Sequence, residues 1–128
     1  MSTRSLDDLD GRFKPVVFEF LSRLTEAKIP VLIVSVLRTI EEQQQNITNG
    51  VSWTMNSKHL PQPPNGKSLA IDLVPYQQFL LNGEDKLQWD GSDPVWQKMA
   101  VIATGLGMRC GYFWKERDLG HFEYVEKL

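Results

Sequence analysis

Cysteine is nearly absent from this sequence of 128 residues, because Cys110 is the only one. An intrachain disulfide and a cysteine-rich zinc cluster are therefore excluded, and any zinc must be held by histidine and carboxylate side chains. Long apolar runs are also missing. The longest, Val31–Leu37, is interrupted by Ser35 and is far too short to span a bilayer.

The chain also lacks a strong net charge, since 14 Lys and Arg residues face 16 Asp and Glu residues for a net charge of −2. This balance argues against nucleic acid as a partner and gives no global attraction to an anionic membrane or wall polymer, although a local basic patch remains open. The N-terminal stretch MSTRSLDDLDGRF is polar and acidic, unlike a secretory signal. We therefore expect synthesis in the cytoplasm, no membrane insertion, and release by another agent if the protein acts outside.

The length fits one domain over residues 1–128, and helix signals dominate its first half. Lys14–Lys28 has apolar residues at helical spacing, with Pro15 suited to a first turn. The β-branched run Val31–Leu37 predicts a buried strand. Thr39 opens a second helix with the capping-box spacing, and Gly50 is a plausible end.

The second half of the sequence mixes strand and helix signals. Residues 51–67 predict a loop with a proline-rich centre, and residues 75–90 predict either a short helix or a hairpin. Asp93-Pro94 is a strong helix start, and the expected buried stripe is Val95, Met99, Ile102, Ala103 and Leu106. The predicted strands are Ser68–Val74, Met108–Trp114 and His121–Val125, the last two forming an antiparallel pair. Without regular βαβ alternation, we expect an α+β fold with a small antiparallel sheet flanked by helices.

Three polar residues stand in unusual neighbourhoods. His59 lies at the edge of the proline-rich loop, and His121 begins the last predicted strand. Asp72 is flanked by Ile71 and Leu73, where a buried charge is costly unless it is paired or bound to a metal. Two imidazoles and one carboxylate form a common catalytic zinc set that leaves a position open for water.

A plainer interpretation stays open for each of these residues. Two histidines are unremarkable in a chain of this size, and Asp72 alone fits a strand-end cap or an ion pair. Asp118 stands three residues before His121, where it is either a turn residue or a base that takes a proton from water. Glu123 is its rival, but on a strand it points the same way as His121 and suits a supporting role beside that ligand.

Several segments together resemble one enzyme family. Ser57-Lys58-His59 followed by Gly66–Leu73 resembles the S-x-H…G-x-A-x-D signature of the zinc D-alanyl-D-alanine carboxypeptidase and L-alanyl-D-glutamate peptidase family. Residues 114–123 are similar to its W…[ED]-x-x-H-F-E ending, and residues 35–43 to its [ST]-x-x-R-[ST]-x-x-E-Q segment. The match runs in order from about Ser35 to Glu123, and the combination is specific although each motif alone is weak.

The resemblance implies a Hedgehog/D-Ala-D-Ala-peptidase-like fold and a phage endolysin-like peptidase that cuts peptidoglycan stem peptides. It implies that Zn²⁺ is bound by His59, Asp72 and His121, with Asp118 as the catalytic base. Arg38 would bind the substrate or polarise its carbonyl, and Ser57 would support the first ligand or the substrate. The bland alternatives are a surface ion pair for Arg38 and a loop hydrogen bond for Ser57.

Within the resemblance, we expect a monomeric L-alanyl-D-glutamate endopeptidase, made in the host cytoplasm, that reaches the cell wall after release. A D-alanyl-D-alanine carboxypeptidase or dipeptidase and a non-catalytic metal-binding module of the same fold remain alternatives. The 13-residue gap between His59 and Asp72 departs from the family's shorter spacing, and residues 60–65 look like an insertion that bulges away or walls the cleft. Trp53 and Tyr112 are candidates for a substrate groove, whereas we expect Phe113 and Trp114 to pack in the core.

Overall fold

The computed structural model describes residues 2–49, 57–77, 86–87 and 89–126. Its helices are α1 (Lys14–Glu26), α2 (Ile40–Thr48) and α3 (Pro94–Gly105). Its strands are β1 (Val31–Ser35), β2 (Ala70–Gln77), β3 (Lys86–Leu87), β4 (Arg109–Cys110) and β5 (His121–Glu123), and short 3-10 helices cover Leu6–Asp8 and Gly111–Phe113. Antiparallel strands and helices are mixed, so the predicted α+β class is confirmed.

The strands join in one sheet in the order β1-β2-β5-β4, and β3 pairs with β2. All of these pairings are antiparallel, including the predicted pair of β4 and β5. The register places Asp72 opposite His121, and it aligns Ala70, Glu123 and Arg109 across β2, β5 and β4. Directly paired residues project from the same face of a sheet, and so do alternate residues of a strand. These five residues therefore share one face.

Helices α1 and α3 cover the opposite face of the sheet. Ile71 and Phe122 are buried there, and the Phe122 ring contacts Phe20 of α1 with 4.8 Å between ring centroids. The Sγ atom of Cys110, the partner of Phe122 on β4, lies 3.7 Å from the Ala100 carbonyl oxygen of α3. Because the apolar side of each strand faces the helices, its polar side is left for a site.

Two helices begin where the sequence predicts. Thr39 caps α2 through its hydroxyl, and the Glu42 side chain returns to the Thr39 amide, which completes a capping box. Asp93 caps α3 by accepting from the Val95 amide, and Pro94 occupies the first helical position. The predicted end of α2 at Gly50 lies outside the described residues.

Other boundaries differ from the predicted ones. Helix α1 ends at Glu26 rather than Lys28, because Lys28 adopts the left-handed conformation with φ 61°, which ends an α-helix. In α3 the buried residues are Trp96, Met99, Ala100 and Ala103, whereas Val95, Ile102 and Leu106 only border the core. The period was right, but the stripe is rotated toward Trp96.

Three of the four predicted strands are longer than the observed ones, whereas β2 starts two residues later and ends three residues later than predicted. Strand β1 ends at Ser35 instead of Leu37 and is an edge strand, so Leu32 is 44% exposed rather than buried. Strand β2 runs from Ala70 to Gln77. Strand β4 holds only two residues before the chain turns into the Gly111–Phe113 helix. The antiparallel pairing of β2 with β3 matches the hairpin alternative for residues 75–90, whose residues 78–85 are not described.

The proline-rich insertion forms a closed turn. The Gln62 amide donates to the Lys67 carbonyl at 2.9 Å, and the Arg12 guanidinium donates to the Pro63 carbonyl at 3.0 Å. Asp10 in turn holds Arg12 through an ion pair of 2.9 Å. The insertion is therefore tied to the N-terminal segment. Across the described ranges, none of the helices is long and apolar enough to cross a membrane.

Candidate metal centre

His59, Asp72 and His121 converge on the polar face of the sheet. His59 comes from the turn that precedes the insertion, Asp72 from β2 and His121 from the start of β5. One donor atom from each side chain lies within 4.8 Å of the other two. The structure thus brings together the three residues that the sequence singled out.

The three donor atoms meet around one carboxylate oxygen. Nε2 of His59 lies 2.9 Å from Oδ1 of Asp72, and Nδ1 of His121 lies 3.3 Å from the same oxygen. The two imidazole rings are 5.2 Å apart between centroids and nearly perpendicular. Both imidazoles are almost fully buried, so their orientations are fixed by packing as well as by these contacts.

Outer hydrogen bonds determine which ring nitrogens face the centre. The Nδ1 atom of His59 lies 2.8 Å from the Val36 carbonyl oxygen, and Nε2 of His121 lies 2.8 Å from Oε1 of Glu123. Each outer nitrogen therefore donates its proton away from the centre. The opposite nitrogens, Nε2 of His59 and Nδ1 of His121, are left with lone pairs toward Asp72 when the imidazoles are neutral. Glu123 therefore lies in a position to support His121, which is the alternative role that the sequence predicts for it.

Lys58 extends this network one residue outward. Its Nζ atom lies 3.4 Å from Oε2 of Glu123 and donates to the Tyr124 carbonyl at 2.6 Å. Glu123 is therefore held between an imidazole and an ammonium group while 7% exposed. The sequence gives Lys58 no evident role, and its contact with Glu123 becomes visible only in the structure.

Backbone contacts hold the two histidine segments against the sheet. The His59 amide donates to the Ser57 hydroxyl at 3.2 Å, and the Arg38 amide donates to the His59 carbonyl at 2.8 Å. On the other side, a Cβ on Gly120 would lie 2.6 Å from the Leu73 carbonyl oxygen, so only glycine permits this approach next to His121. Ser57 therefore bonds to the backbone of His59, which agrees both with support of this ligand and with an ordinary loop hydrogen bond.

The charges of the centre are strongly coupled. Burial alone would raise the pKa of Asp72, but the two imidazoles hold the pKa of this carboxyl well below its usual range. Burial opposes the charged form of His121, yet hydrogen bonds to Asp72 and Glu123 raise the pKa of His121 to about 9. Glu123 is buried too, but its bond with His121 lowers its pKa. In the metal-free protein, a proton on His121 takes the place of a cation.

Asp118 lies at the open side of the centre. Its Oδ2 atom is 3.9 Å from Nδ1 of His121, and its side chain is 56% exposed. Desolvation by the surrounding protein and the negative charge of Asp72 raise the pKa of Asp118, although more than half of its surface meets solvent. The Asp118 amide donates to the Gly111 carbonyl at 3.1 Å, and the His121 amide donates to the Asp118 carbonyl at 3.2 Å.

Arg38 reaches toward the centre from the segment after β1. Its Nη1 atom donates to Oε1 of the buried Gln43 at 2.8 Å. Its charge lowers the pKa of Asp118, which is the reverse of the effect of Asp72. The surface ion pair considered for Arg38 is absent from the described residues, where its side chain bonds to a neutral amide.

The aromatic residues near the centre do not all lie where the sequence predicts. Phe113 is 60% exposed, so the prediction that it packs in the core was wrong, because the chain turns into a short helix there instead of continuing β4. Trp114 is half-buried, and its ring lies 5.0 Å from that of His121. The Arg109 guanidinium also lies over the Trp114 ring, 5.7 Å from the ring centroid. Trp53 lies outside the described residues.

The donor set fits a divalent transition metal. Two imidazole nitrogens and one carboxylate oxygen suit zinc, and each imidazole has the outer acceptor that fixes the tautomer needed for metal binding. The pairing of Asp72 with two imidazoles explains how this aspartate tolerates its place between Ile71 and Leu73. The arrangement can hold a cation with its open side toward Asp118.

The crystal structure of the L-Ala D-Glu endopeptidase ChiX from Serratia marcescens is similar to this chain with a TM-score of 0.66 and 24% identity, over 98% of this chain and 89% of that one. This likeness shows the fold.

The sequence model of the phage L-alanyl-D-glutamate peptidase family matches residues 1–126. The chain therefore belongs to this family, which confirms the predicted family and the predicted function as a peptidoglycan peptidase. No curated protein sequence matches the chain.

Proposed function

We propose that this chain is a zinc peptidase in which His59, Asp72 and His121 bind the metal and Asp118 acts as the general base. The observation that carries this proposal is the convergence of the three donor atoms within 4.8 Å beside an exposed carboxylate. The bond cut would be the amide between L-alanine and D-glutamate, which the name of the family specifies, and its place would be the peptidoglycan stem peptide.

Zinc, when bound, would polarise the scissile carbonyl and increase the acidity of water at the site. The residues of the chain then have distinct tasks. His59 and His121 present their inner nitrogens because Val36 and Glu123 accept the outer protons. Asp72 contributes the negative charge that makes the site selective for a cation. Carboxylate and imidazole donors also accept other divalent ions, so metal analysis is needed to identify zinc.

Asp118 would move the proton during hydrolysis. Its Oδ2 atom faces the centre from the solvent side, 3.9 Å from the His121 ring. We infer that this oxygen takes a proton from the attacking water and later gives it to the departing amine nitrogen of D-glutamate. One carboxylate can serve both steps, because it takes up the proton in the first and releases it in the second.

Arg38 and Ser57 would act on the substrate side. The bond from Arg38 to the buried Gln43 leaves the rest of the guanidinium free to stabilise the oxyanion that develops on the scissile carbonyl. The Ser57 hydroxyl accepts from the His59 amide and keeps its own proton for a peptide carbonyl or for solvent. Asp118 would thus transfer the proton, and Arg38 would stabilise the negative charge on the scissile carbonyl oxygen.

The decisive variant is Asp118→Asn, which keeps shape and removes the base. We expect kcat on purified peptidoglycan to fall by about 10²- to 10⁴-fold with zinc content unchanged. Glu116→Gln is the matched control, since Glu116 is exposed in the same segment and contacts none of the donors. His59→Ala and His121→Ala should lose zinc in elemental analysis.

Product analysis separates the alternatives. New L-alanine carboxyl ends together with free D-glutamate amines support the endopeptidase. Release of D-alanine would support a D-alanyl-D-alanine carboxypeptidase instead. Unchanged lysis by Asp118→Asn in permeabilised cells would contradict the general-base assignment, and zinc binding without any turnover would indicate a non-catalytic module.

A further inference from the structure

Arg109 shares the face of the sheet that carries the metal centre. It is the register partner of Glu123, and Glu123 follows His121 by two residues on β5. Alternate residues of a strand and directly paired residues of neighbouring strands project to the same side. Arg109 therefore extends from β4, at the edge of the sheet, on the side where His121 meets Asp72.

An indole ring connects Arg109 to the centre. The Arg109 guanidinium carbon lies 5.7 Å from the Trp114 ring centroid, and that ring is 5.0 Å from the His121 ring. A guanidinium over an indole face is held by its attraction to the ring quadrupole and keeps its hydrogen-bond donors at the edge. One aromatic side chain thus separates the Arg109 charge from His121.

Arg109 has no acidic partner among the residues that the structure describes. Other arginines do: Arg12 pairs with Asp10 at 2.9 Å and Arg23 pairs with Glu19 at 3.0 Å. Arg109 is exposed, and its stacking on Trp114 directs it without neutralising it. An oriented and unneutralised guanidinium beside a reaction centre suits the binding of a carboxylate from the substrate.

The substrate of the proposed function supplies such a carboxylate. D-Glutamate has two carboxyl groups, and only one of them continues the stem peptide, so the other remains close to the scissile amide. Arg38 approaches the centre from the β1 side, whereas Arg109 approaches from β4 at the other edge. We propose that Arg109, stacked on Trp114, binds the free carboxylate of the D-glutamate residue and selects it over an amidated residue. This proposal rests on the proposed function.

The test compares two synthetic stem peptides that differ only in this group, one with the free carboxylate and one with a carboxamide of the same shape. For the wild-type enzyme, we expect kcat/KM to be roughly 10-fold higher for the carboxylate, as for one hydrogen-bonded pair with a charged group. Arg109→Gln should bring the ratio close to one, mainly through KM on the carboxylate peptide. Arg109→Lys should restore part of the ratio.

Arg117→Gln is the matched control. Arg117 is also exposed and lies 4.5 Å from the Tyr112 ring in the same segment, but it has no register partner on the sheet. Its removal takes away the same charge and should leave the ratio unchanged. A ratio that survives in Arg109→Gln, or that falls equally in Arg117→Gln, would overturn the subsite while leaving the peptidase activity in place. A wild-type enzyme that cuts neither peptide would overturn the proposed function and the subsite together.

Discussion

The contact between Gly111 and Asp118 offers a sharp test of how the proposed base is positioned. A Cβ atom added to Gly111 would lie 2.3 Å from the Asp118 carbonyl oxygen and 2.9 Å from the Asp118 Cβ. The nearest of these atoms belongs to the backbone, so no change of rotamer relieves the overlap. Gly111→Ala must therefore displace the backbone of Asp118.

The size of the displacement follows from ordinary contact distances. Atoms of this kind pack at about 3.5 Å, so the Asp118 segment has to retreat by about 1 Å. Its amide and carbonyl bond to Gly111 and to His121, so the movement carries the carboxylate with it. A misplacement of about 1 Å costs around 100-fold in rate when it disturbs the reacting geometry. We expect kcat to fall by about this factor with KM little changed.

The assay is steady-state cleavage of a stem peptide, with zinc content and thermal unfolding measured on the same samples. Gly105→Ala is the control, because no atom lies within 4 Å of its added Cβ. In the Asp118→Asn variant, adding Gly111→Ala should lower kcat little further, because the side chain that it displaces can no longer act as a base. Full activity in Gly111→Ala, or a full additional loss in the double variant, would refute the reasoning.

Two further predictions concern the metal centre. Glu123→Gln removes the charge behind His121, so zinc affinity should fall about 10-fold in chelator competition; an unchanged affinity would show that this partner is dispensable. In metal-free protein the raised pKa of His121 means that its proton stabilises the fold fully below pH 6.5, and that this contribution is lost as the pH rises through about 9. The unfolding temperature should therefore decline over this range, and a flat or rising profile would contradict the ion pair with Asp72.

The three candidate donors could be named from the sequence mainly because the segments that hold them resemble the motifs of one peptidase family. Asp72 alternates with Ile71 and Leu73, and a period of two already places it on the face opposite the core. His121 begins the last predicted strand, and the sequence predicts only its pairing with the strand before it. The register of β2 and β5 then sets Asp72 directly opposite His121.

Other residues on the same side of the sheet could not be predicted in the same way. Arg109 lies on the same face as the centre only because β4 pairs with β5 in one register, and a shift by a single residue would turn it to the helix side. Gly111 matters because of an atom seven residues away, and a glycine in a sequence does not reveal what approaches it. Phe113 was misjudged for a related reason, since β4 ends after two residues and the following turn faces solvent.

The division of the sheet into two chemically different faces explains why the centre and the core do not compete. A carboxylate between Ile71 and Leu73 would destabilise the fold if it faced α1 and α3, because burial without a partner is costly. On the other face, Asp72 gains two imidazoles that are themselves held by Val36 and Glu123. Removing either histidine therefore leaves a charge without its counterpart, so metal binding and stability depend on the same side chains. Substitutions of these donors are informative only when zinc content and folding are measured together with activity.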